Sequence, residues 1–170
     1  MKIAIVKLSA LGDIIHAMVV LQFIKNHNHN IEVDWIVEES YRELLNFHPD
    51  INKVHEVNIK NAKKKTSVFL LLKEIKKIRR LGPYDLVIDM QGLIKSAIIS
   101  RFLPSKLTLG FDKSSARESL SSIFYNKTFK HDYNKNVIER NFELIKFALE
   151  LPFNKEEIHH KLAFLHSTQQ

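Results

Sequence analysis

The spacing of hydrophobic and polar residues predicts a chain in which strands and helices alternate. Short apolar runs of strand length are separated by longer segments whose apolar residues recur every three or four positions. The predicted strands cover residues 2–6, 31–37, 53–59, 85–89 and 106–110. The predicted helices cover residues 14–24, 40–48, 66–81, 93–102, 119–125 and 136–149. This alternation is typical of βαβ units, so we expect an α/β, Rossmann-like parallel sheet with flanking helices.

The segment 66–81 shows the helical pattern most clearly. Its apolar residues fall on one side of a helix and its charged residues on the other, as expected for a helix that packs on a sheet. The apolar positions are Val68, Phe69, Leu71, Leu72, Ile75, Ile78 and Leu81. The pair Gly82-Pro83 ends the pattern, as such pairs end helices.

Length and composition indicate one globular domain with a short tail. The chain has 170 residues, of which 45% are hydrophobic, and it has no cysteine. Disulfides and thiolate zinc sites are therefore excluded, which fits a cytoplasmic protein. Neither a signal peptide nor an apolar run of membrane-spanning length occurs, so we expect a soluble or peripheral protein. Residues 1–150 form the predicted domain, and residues 151–170, which lack a clear period, the predicted linker or tail.

The net charge of +7 indicates a surface that attracts polyanions. Nucleic acid, anionic lipid and a phosphorylated or carboxylated substrate would all suit it. A basic surface with no binding role is equally compatible with this composition.

The first candidate site follows the first predicted strand. Ser9, Ala10, Leu11 and Gly12 form a predicted loop before a helix, with Asp13 at the expected N-cap. Backbone N–H groups at such a turn can bind phosphate. Only one glycine is present, so the dinucleotide-binding fingerprint and the P-loop are both excluded. From the residues alone, Asp13 is as compatible with plain capping as with catalysis.

Two further strand ends carry polar residues at the edge where ligands bind in open α/β sheets. Gln91, Gly92 and Lys95 follow the strand that ends at Asp89, and Glu38 and Glu39 follow the second strand. A turn glycine, a solvated lysine and a helix-capping acid would explain these residues without any binding role.

Basic residues add two weaker candidates. The run that contains Lys60, Lys63 and Lys64 is predicted as a loop after the third strand, and Arg117 is predicted at a helix start, where it could bind a carboxylate through two hydrogen bonds. A solvated charged loop is the simpler interpretation of the lysines. The histidines are scattered or directly adjacent, as in His159-His160, so we expect no metal site.

Taken together and in order, these segments resemble the lipopolysaccharide heptosyltransferases of glycosyltransferase family 9, in particular the enzymes that add the first heptose. The resemblance covers residues 1–150. It rests on Ile5-Val6-Lys7 with Ser9, Gly12-Asp13 and His16, on 34–39, on 87–97, on Gly110-Phe111-Asp112, on Ala116-Arg117-Glu118, on Phe124-Tyr125-Asn126 and on Glu139-Arg140.

The resemblance implies the N-terminal, acceptor-binding half of a GT-B glycosyltransferase, with the donor-binding C-terminal domain absent from these 170 residues. It implies inverting transfer of heptose from ADP-heptose to the Kdo of Kdo-lipid A, without a metal or other cofactor, at the cytoplasmic face of the inner membrane. Asp13 matches the family's catalytic base, and Ser9, Ala10, Leu11 and Gly12 would line the site. The family's basic acceptor loop falls on Lys60, Lys63 and Lys64, and its acceptor arginine on Arg117.

One departure concerns the basic loop, which is usually rich in arginine in the family and is rich in lysine here. Lysine keeps the charge but loses the two-pronged geometry of the guanidinium. With the donor half missing, we expect a 170-residue protein to bind acceptor and to transfer little.

Three alternatives remain on the residues alone: a stand-alone module that binds an anionic ligand, a nucleic-acid-binding module, and a nicotinamide-dependent dehydrogenase. The chain has neither a nucleic-acid-binding motif nor the glycine fingerprint of dinucleotide binding, which counts against the last two alternatives. Nucleic acid is therefore not an expected partner.

Overall fold

The computed structural model describes residues 1–162 and 165, apart from the side chains of Lys63 and Lys155. Its six strands are β1 (Lys2–Val6), β2 (Glu32–Glu38), β3 (Lys53–Val57), β4 (Tyr84–Asp89), β5 (Ser105–Phe111) and β6 (Lys127–Phe129). Its α-helices are α1 (Leu11–Met18), α2 (Val20–His27), α3 (Arg42–Leu45), α4 (Ile59–Lys64), α5 (Val68–Ile78), α6 (Ile94–Phe102) and α7 (Val137–Leu149). Short 3-10 helices span Glu39–Tyr41, Ser119–Phe124 and Lys155–His160.

The strands form one parallel sheet in the order β3-β2-β1-β4-β5-β6. This is the Rossmann order, in which the winding direction reverses between β1 and β4. The predicted α/β, Rossmann-like parallel sheet is therefore confirmed.

Side chains on a strand alternate between the two faces of a sheet, and in this parallel sheet both faces are covered. Ile3 and Ile5 of β1 belong to the core on one face, where α1, α2 and α7 pack. Ala4 and Val6 belong to the core on the other face, which is closed by residues such as Ile78 of α5 and Ile99 of α6. The chain has enough apolar sequence to bury two layers of core.

Several predicted elements have different bounds in the structure. The predicted helix over 14–24 is two helices that meet at Val19, and the first begins at Leu11. The basic segment that was predicted as a loop forms α4, because Asn58 caps its start by accepting a hydrogen bond from the N–H of Asn61. The sixth strand was not predicted, since its three residues are too few to show an alternating pattern.

The tail also differs in detail from a plain linker. Leu151 is buried, and Ile158 of the last 3-10 helix packs against the core. Residues 163–164 and 166–170 of the predicted tail lie outside the described residues. Over the part of the chain that is described, no helix is long and apolar enough to cross a membrane.

Candidate active site

A polar cleft lies where the sheet reverses its winding direction, at the carboxyl ends of β1 and β4. Ligands of open α/β sheets bind at this position. The cleft has a volume of about 230 Å³. It is lined by Lys7, Asp13, Met90, Gln91, Phe111, Arg117, Tyr133, Val137, Arg140 and Asn141. We call this set the switch-point cleft.

Gln91 joins the two loops that form the floor of the switch-point cleft. Its side-chain oxygen accepts hydrogen bonds from the backbone N–H groups of Leu8 (2.9 Å) and Ser9 (3.2 Å). Gln91 is buried, so these bonds are shielded from competing water. The loop after β1, which leads to Asp13, is therefore held in place by the loop after β4.

Asp89 organises the loop after β4 from below. It is fully buried, and its Oδ1 accepts hydrogen bonds from the backbone N–H groups of Gln91 (2.8 Å) and Gly92 (3.2 Å). The Tyr125 hydroxyl donates to its Oδ2 at 2.8 Å. Burial raises the pKa of Asp89, against the hydrogen bonds from Tyr125 and the amides, which favour the carboxylate. These contacts give Asp89 a structural role, away from the cleft surface.

Gly92 follows in a conformation that favours glycine, with φ of +69°. Its carbonyl accepts the N–H of Glu118 (3.0 Å), and the Glu118 carboxylate in turn accepts the N–H of Ile94 in the first turn of α6 (2.6 Å). The segment that carries Arg117 is thereby fixed against the start of α6.

Lys7 is a buried cation beneath the cleft. Only 5% of its surface is exposed, and its ammonium group donates to the Met90 carbonyl at 3.0 Å. Burial lowers the pKa of Lys7, while the nearby charges of Asp13 and Asp89 act to raise it. Lys7 and Asp13 are therefore close enough for their charges to interact.

Asp13 lies in the first turn of α1 and not at its N-cap, which is Ala10. The prediction of Asp13 as the N-cap was wrong, because the helix begins at Leu11, three residues earlier than its apolar pattern indicates. Its carboxylate is half-buried and only loosely paired, with Oδ2 3.5 Å from the Ala10 nitrogen. A carboxylate at the cleft with a weak local partner is available to accept a proton from a bound molecule.

Two arginines, Arg117 and Arg140, add cationic groups to the lining of the cleft. Arg117 is exposed, whereas the Arg140 guanidinium lies between the rings of Phe111 (4.8 Å) and Tyr133 (4.6 Å). Arg140 also donates to the Ser115 carbonyl. Its Nε and the buried Nδ2 of the adjacent Asn141 have no hydrogen-bond partner within the described part of the chain. Unused donors beside two guanidinium groups suit an anionic ligand.

A second group of charges lies beside the cleft at the end of β2. Lys95 of α6 approaches the Ser9 hydroxyl at 3.5 Å, and Glu38 accepts the N–H of Lys60 at 3.1 Å. Burial raises the pKa of Glu38, and the charges of Lys95 and Lys60 act to lower it. Glu38 thus connects the start of α4 to the floor of the site.

The structure brings only some of the predicted site residues together. Asp13, Gln91 and Arg117 line the cleft, with Ser9 and Lys95 beside it. Leu11 and Gly12 are not loop residues, because they form the exposed first turn of α1 after Ala10. Lys60 and Lys64 are exposed on α4, and the side chain of Lys63 lies outside the described residues. Among the described residues, no three acidic or histidine side chains are grouped as metal ligands.

Lys7, Tyr133, Arg140 and Asn141 line the cleft but were not assigned to the site from the sequence, although Lys7 and Arg140 lie in segments that carry the family resemblance. Lys7 read as the polar end of a strand, and the other three lie far from it in sequence. The last predicted helix carried a usable signal, because Asn141 is a polar residue within its buried apolar stripe and Arg140 is adjacent to it. This helix, α7, packs against α1.

The model of glycosyltransferase family 9 (heptosyltransferase) matches residues 72–170, more than half of the chain. The chain belongs to glycosyltransferase family 9.

Among curated relatives, this family 9 chain is 44% identical over 158 residues to lipopolysaccharide heptosyltransferase 1 of Campylobacter coli, an alignment that covers 93% of the chain and 44% of the relative. It is 36% identical over 155 residues to the Pseudomonas aeruginosa protein of the same name, which covers 89% of the chain and 44% of that relative.

A solved structure, E. coli heptosyltransferase WaaC with ADP-2-deoxy-2-fluoro heptose, matches with a TM-score of 0.81 and 32% identity. The match covers 88% of the chain and 49% of that structure. The family 9 chain therefore spans about half the length of the relatives that it matches, and corresponds to a GT-B heptosyltransferase fold over that half.

Proposed function

We propose that this chain is the acceptor-binding half of a heptosyltransferase that transfers L-glycero-D-manno-heptose from ADP-heptose to the Kdo of Kdo-lipid A. The observation that carries the proposal is that Asp13 lines the switch-point cleft of a family 9 chain together with Lys7, Arg117 and Arg140. The relatives named heptosyltransferase 1, and the solved relative with an ADP-heptose analogue, support the donor and the reaction class.

In the proposed reaction, Asp13 is the general base. A Kdo hydroxyl oxygen forms a bond to the anomeric carbon of heptose, and the bond from that carbon to the ADP oxygen breaks. The proton of the hydroxyl passes to the Asp13 carboxylate, and ADP leaves with the bonding electron pair. Attack opposite to the leaving group inverts the anomeric centre. The proposed step uses neither a metal ion nor another cofactor.

The cationic residues have separate roles in this proposal. Arg117 and Arg140 are suited to the carboxylate and phosphate groups of the acceptor, which planar guanidinium groups bind through paired hydrogen bonds. Lys7 would stabilise negative charge near Asp13 before the proton is transferred. Ser9, Gly12 and Lys95 would contact the substrates at the start of α1, and Lys60, Lys63 and Lys64 would attract the anionic acceptor.

The location that fits this proposal is the cytoplasmic face of the inner membrane, where a peripheral protein would meet a lipid acceptor. The proposal assigns the donor's nucleotide mainly to a C-terminal domain of the kind that full-length relatives possess. Precise alignment of two substrates requires both halves of such a site.

The test is transfer of heptose from ADP-heptose to Kdo-lipid A by two proteins. One is the 170-residue protein, and the other is the same sequence continued by the C-terminal domain of the Campylobacter coli relative. We expect transfer by the longer protein and negligible transfer by the shorter one, with both binding the acceptor. If neither protein transfers heptose and neither binds the acceptor, the proposal is wrong.

A further inference from the structure

The positive charge of the chain is concentrated in one segment. Residues 60–80 contain nine of the 26 Lys and Arg residues but only one of the 19 Asp and Glu residues. This excess of eight positive charges exceeds the net charge of +7 for the whole chain. The remainder of the protein is close to neutral overall, so the net positive charge that an extended anionic surface would meet is concentrated in the segment that contains α4 and α5.

Large apolar side chains are exposed within this same segment. Val68, Phe69 and Leu72 are 70%, 75% and 57% exposed. They lie in the first two turns of α5 at positions i, i+1 and i+4, so they share one side of the helix. Exposed apolar side chains that are grouped in this way mark a surface for interaction.

Lysines flank the three apolar residues along the chain. Lys73 and Lys76 lie four positions after Phe69 and Leu72, on the same side and one turn further along α5. Lys64 and Lys65 precede the helix, and all four lysines are exposed. We call Val68, Phe69, Leu72 and these four lysines the α5 tip.

The α5 tip is an ordered part of the fold near the candidate active site. Ser67 caps α5 by accepting the N–H of Leu70 (3.3 Å), and Ile78 at the other end of the helix is fully buried. Since α5 leads back to the start of β4, the tip lies towards the carboxyl edge of the sheet. Asp13 and the switch-point cleft lie at that edge.

We propose that the α5 tip docks on an anionic membrane surface, with Val68, Phe69 and Leu72 inserted among the lipid headgroups and the lysines in contact with lipid phosphates. Interfacial membrane-binding helices combine large apolar side chains with lysines in the same segment. The apolar part favours insertion, and the lysines favour anionic lipids over neutral ones. The inference extends the proposed function, since the acceptor proposed there is a lipid, but vesicle binding can be measured without acceptor or donor.

A membrane explains the combination of features better than a folded protein partner does. Lysine is depleted at the cores of protein–protein interfaces, whereas four exposed lysines here border the apolar group. The orientation also brings the switch-point cleft towards the bilayer, where a lipid-anchored sugar would be presented.

The test is co-sedimentation of the 170-residue protein with phosphatidylcholine vesicles, with and without phosphatidylglycerol. We expect binding only to the anionic vesicles, and weaker binding as salt is raised. Phe69→Ser should weaken it at least about fivefold, and the triple variant V68S/F69S/L72S by more than about tenfold, from the loss of buried apolar area. The matched control is Phe47→Ser, which removes an exposed phenylalanine between α3 and β3 at the opposite edge of the sheet.

The lysines are tested separately with K73Q/K76Q, which leaves the apolar residues unchanged. Its control is K113Q/K135Q, which removes two exposed lysines outside the α5 tip. We expect weaker binding to anionic vesicles only for the first pair. Far-ultraviolet circular dichroism and thermal unfolding would establish that each variant is folded.

Three results would overturn the docking proposal: no binding to anionic vesicles, binding unchanged in both V68S/F69S/L72S and K73Q/K76Q, or a dimer in solution that V68S/F69S/L72S converts to monomer. In the last case the tip is an interface between copies of this chain. Transfer by the longer protein to a deacylated acceptor, measured without vesicles, separates this proposal from the enzymatic one. Loss of vesicle binding with unchanged transfer would support docking, and normal vesicle binding without any transfer would count against the enzymatic function only.

Discussion

The side-chain oxygen of Gln91 accepts a hydrogen bond from the backbone N–H of Leu8 at 2.9 Å, which connects the loop after β4 to the loop after β1. The two residues are 83 positions apart in the sequence. The position of Asp13 therefore depends on a residue from the neighbouring strand as well as on its own helix. Accurate placement of a general base matters because small displacements of reacting groups reduce rates strongly.

Gln91→Leu is expected to destabilise the fold and to reduce transfer by the longer protein. The N–H groups of Leu8 and Ser9 would lose a buried acceptor, which costs about 1–3 kcal/mol. Gln91→Glu keeps an acceptor oxygen in the same place and should restore most of both losses. Chemical denaturation and initial transfer rates would measure the two effects. Equal behaviour of the leucine and glutamate variants would show that the hydrogen bonds do not hold the loop.

Gly110→Ala is expected to be strongly destabilising. A methyl group at residue 110 would overlap the ring of Tyr125, whose hydroxyl donates to the buried Asp89. Displacement of the ring would cost about 1–3 kcal/mol, as is typical when a packed core is overfilled. The matched control is Gly12→Ala, since a methyl group there meets no atom within 4 Å. In the first turn of α1, alanine should be neutral or stabilising by up to about 1 kcal/mol.

If Gly110→Ala left the free energy of unfolding unchanged, Tyr125 would have to be mobile, and the account of how Asp89 holds the β4 loop would be wrong. Thermal and denaturant unfolding of the two alanine variants would decide this.

Asp34 is expected to make the stability of the fold depend on pH in the acid range. It is fully buried, and burial acts to raise its pKa, but hydrogen bonds from His55 (3.1 Å) and Tyr84 (2.9 Å) and the Lys2 charge outweigh that effect. The net pKa of Asp34 is lowered. A carboxyl group with a lowered pKa in the folded state stabilises the fold above its unfolded pKa, about 3.9. That contribution is lost as the pH falls from the pKa of the unfolded state through the lower pKa of the folded state.

Asp34→Asn should therefore cost about 1–3 kcal/mol at neutral pH and show a shallower loss of stability below pH of about 4. Glu32→Gln, which changes an exposed acid on the same strand, serves as the control and should behave as the unaltered protein does. Unfolding by urea at a series of pH values would give both curves. Identical acid dependence in Asp34→Asn and the unaltered protein would contradict the assignment.

Most strands of the sheet were predicted from the sequence, because the buried strands of a parallel sheet are short, nearly continuous apolar runs. Lys2–Val6 and Tyr84–Asp89 are of this kind, and their order along the chain fixed the edge at which ligands would bind. Shorter or local features were harder to predict. Three residues, Lys127–Phe129, are too few to show a period, and the start of α1 is hidden because Leu11 and Gly12 are exposed.

The site was predicted only in part because its members converge from distant positions. Asp13, Gln91 and Arg117 each follow a strand and could be found from motif order. Lys7 and Arg140 are defined by burial and by ring stacking, which depend on the packed structure. A lysine at the end of an apolar strand gives no sign in the sequence that its ammonium group lies under a cleft.

The central claim is that Asp13 is the base of a heptosyltransferase, and the most direct test is the initial rate of heptose transfer by the longer protein with Asp13→Asn. Asparagine keeps the size of the side chain but cannot accept the proton, so we expect the rate to fall roughly 10²- to 10⁴-fold. Acceptor binding and thermal stability should change little, and Glu43→Gln, an exposed acid on α3, should leave the rate unchanged. Normal turnover by the Asp13→Asn protein would contradict the account.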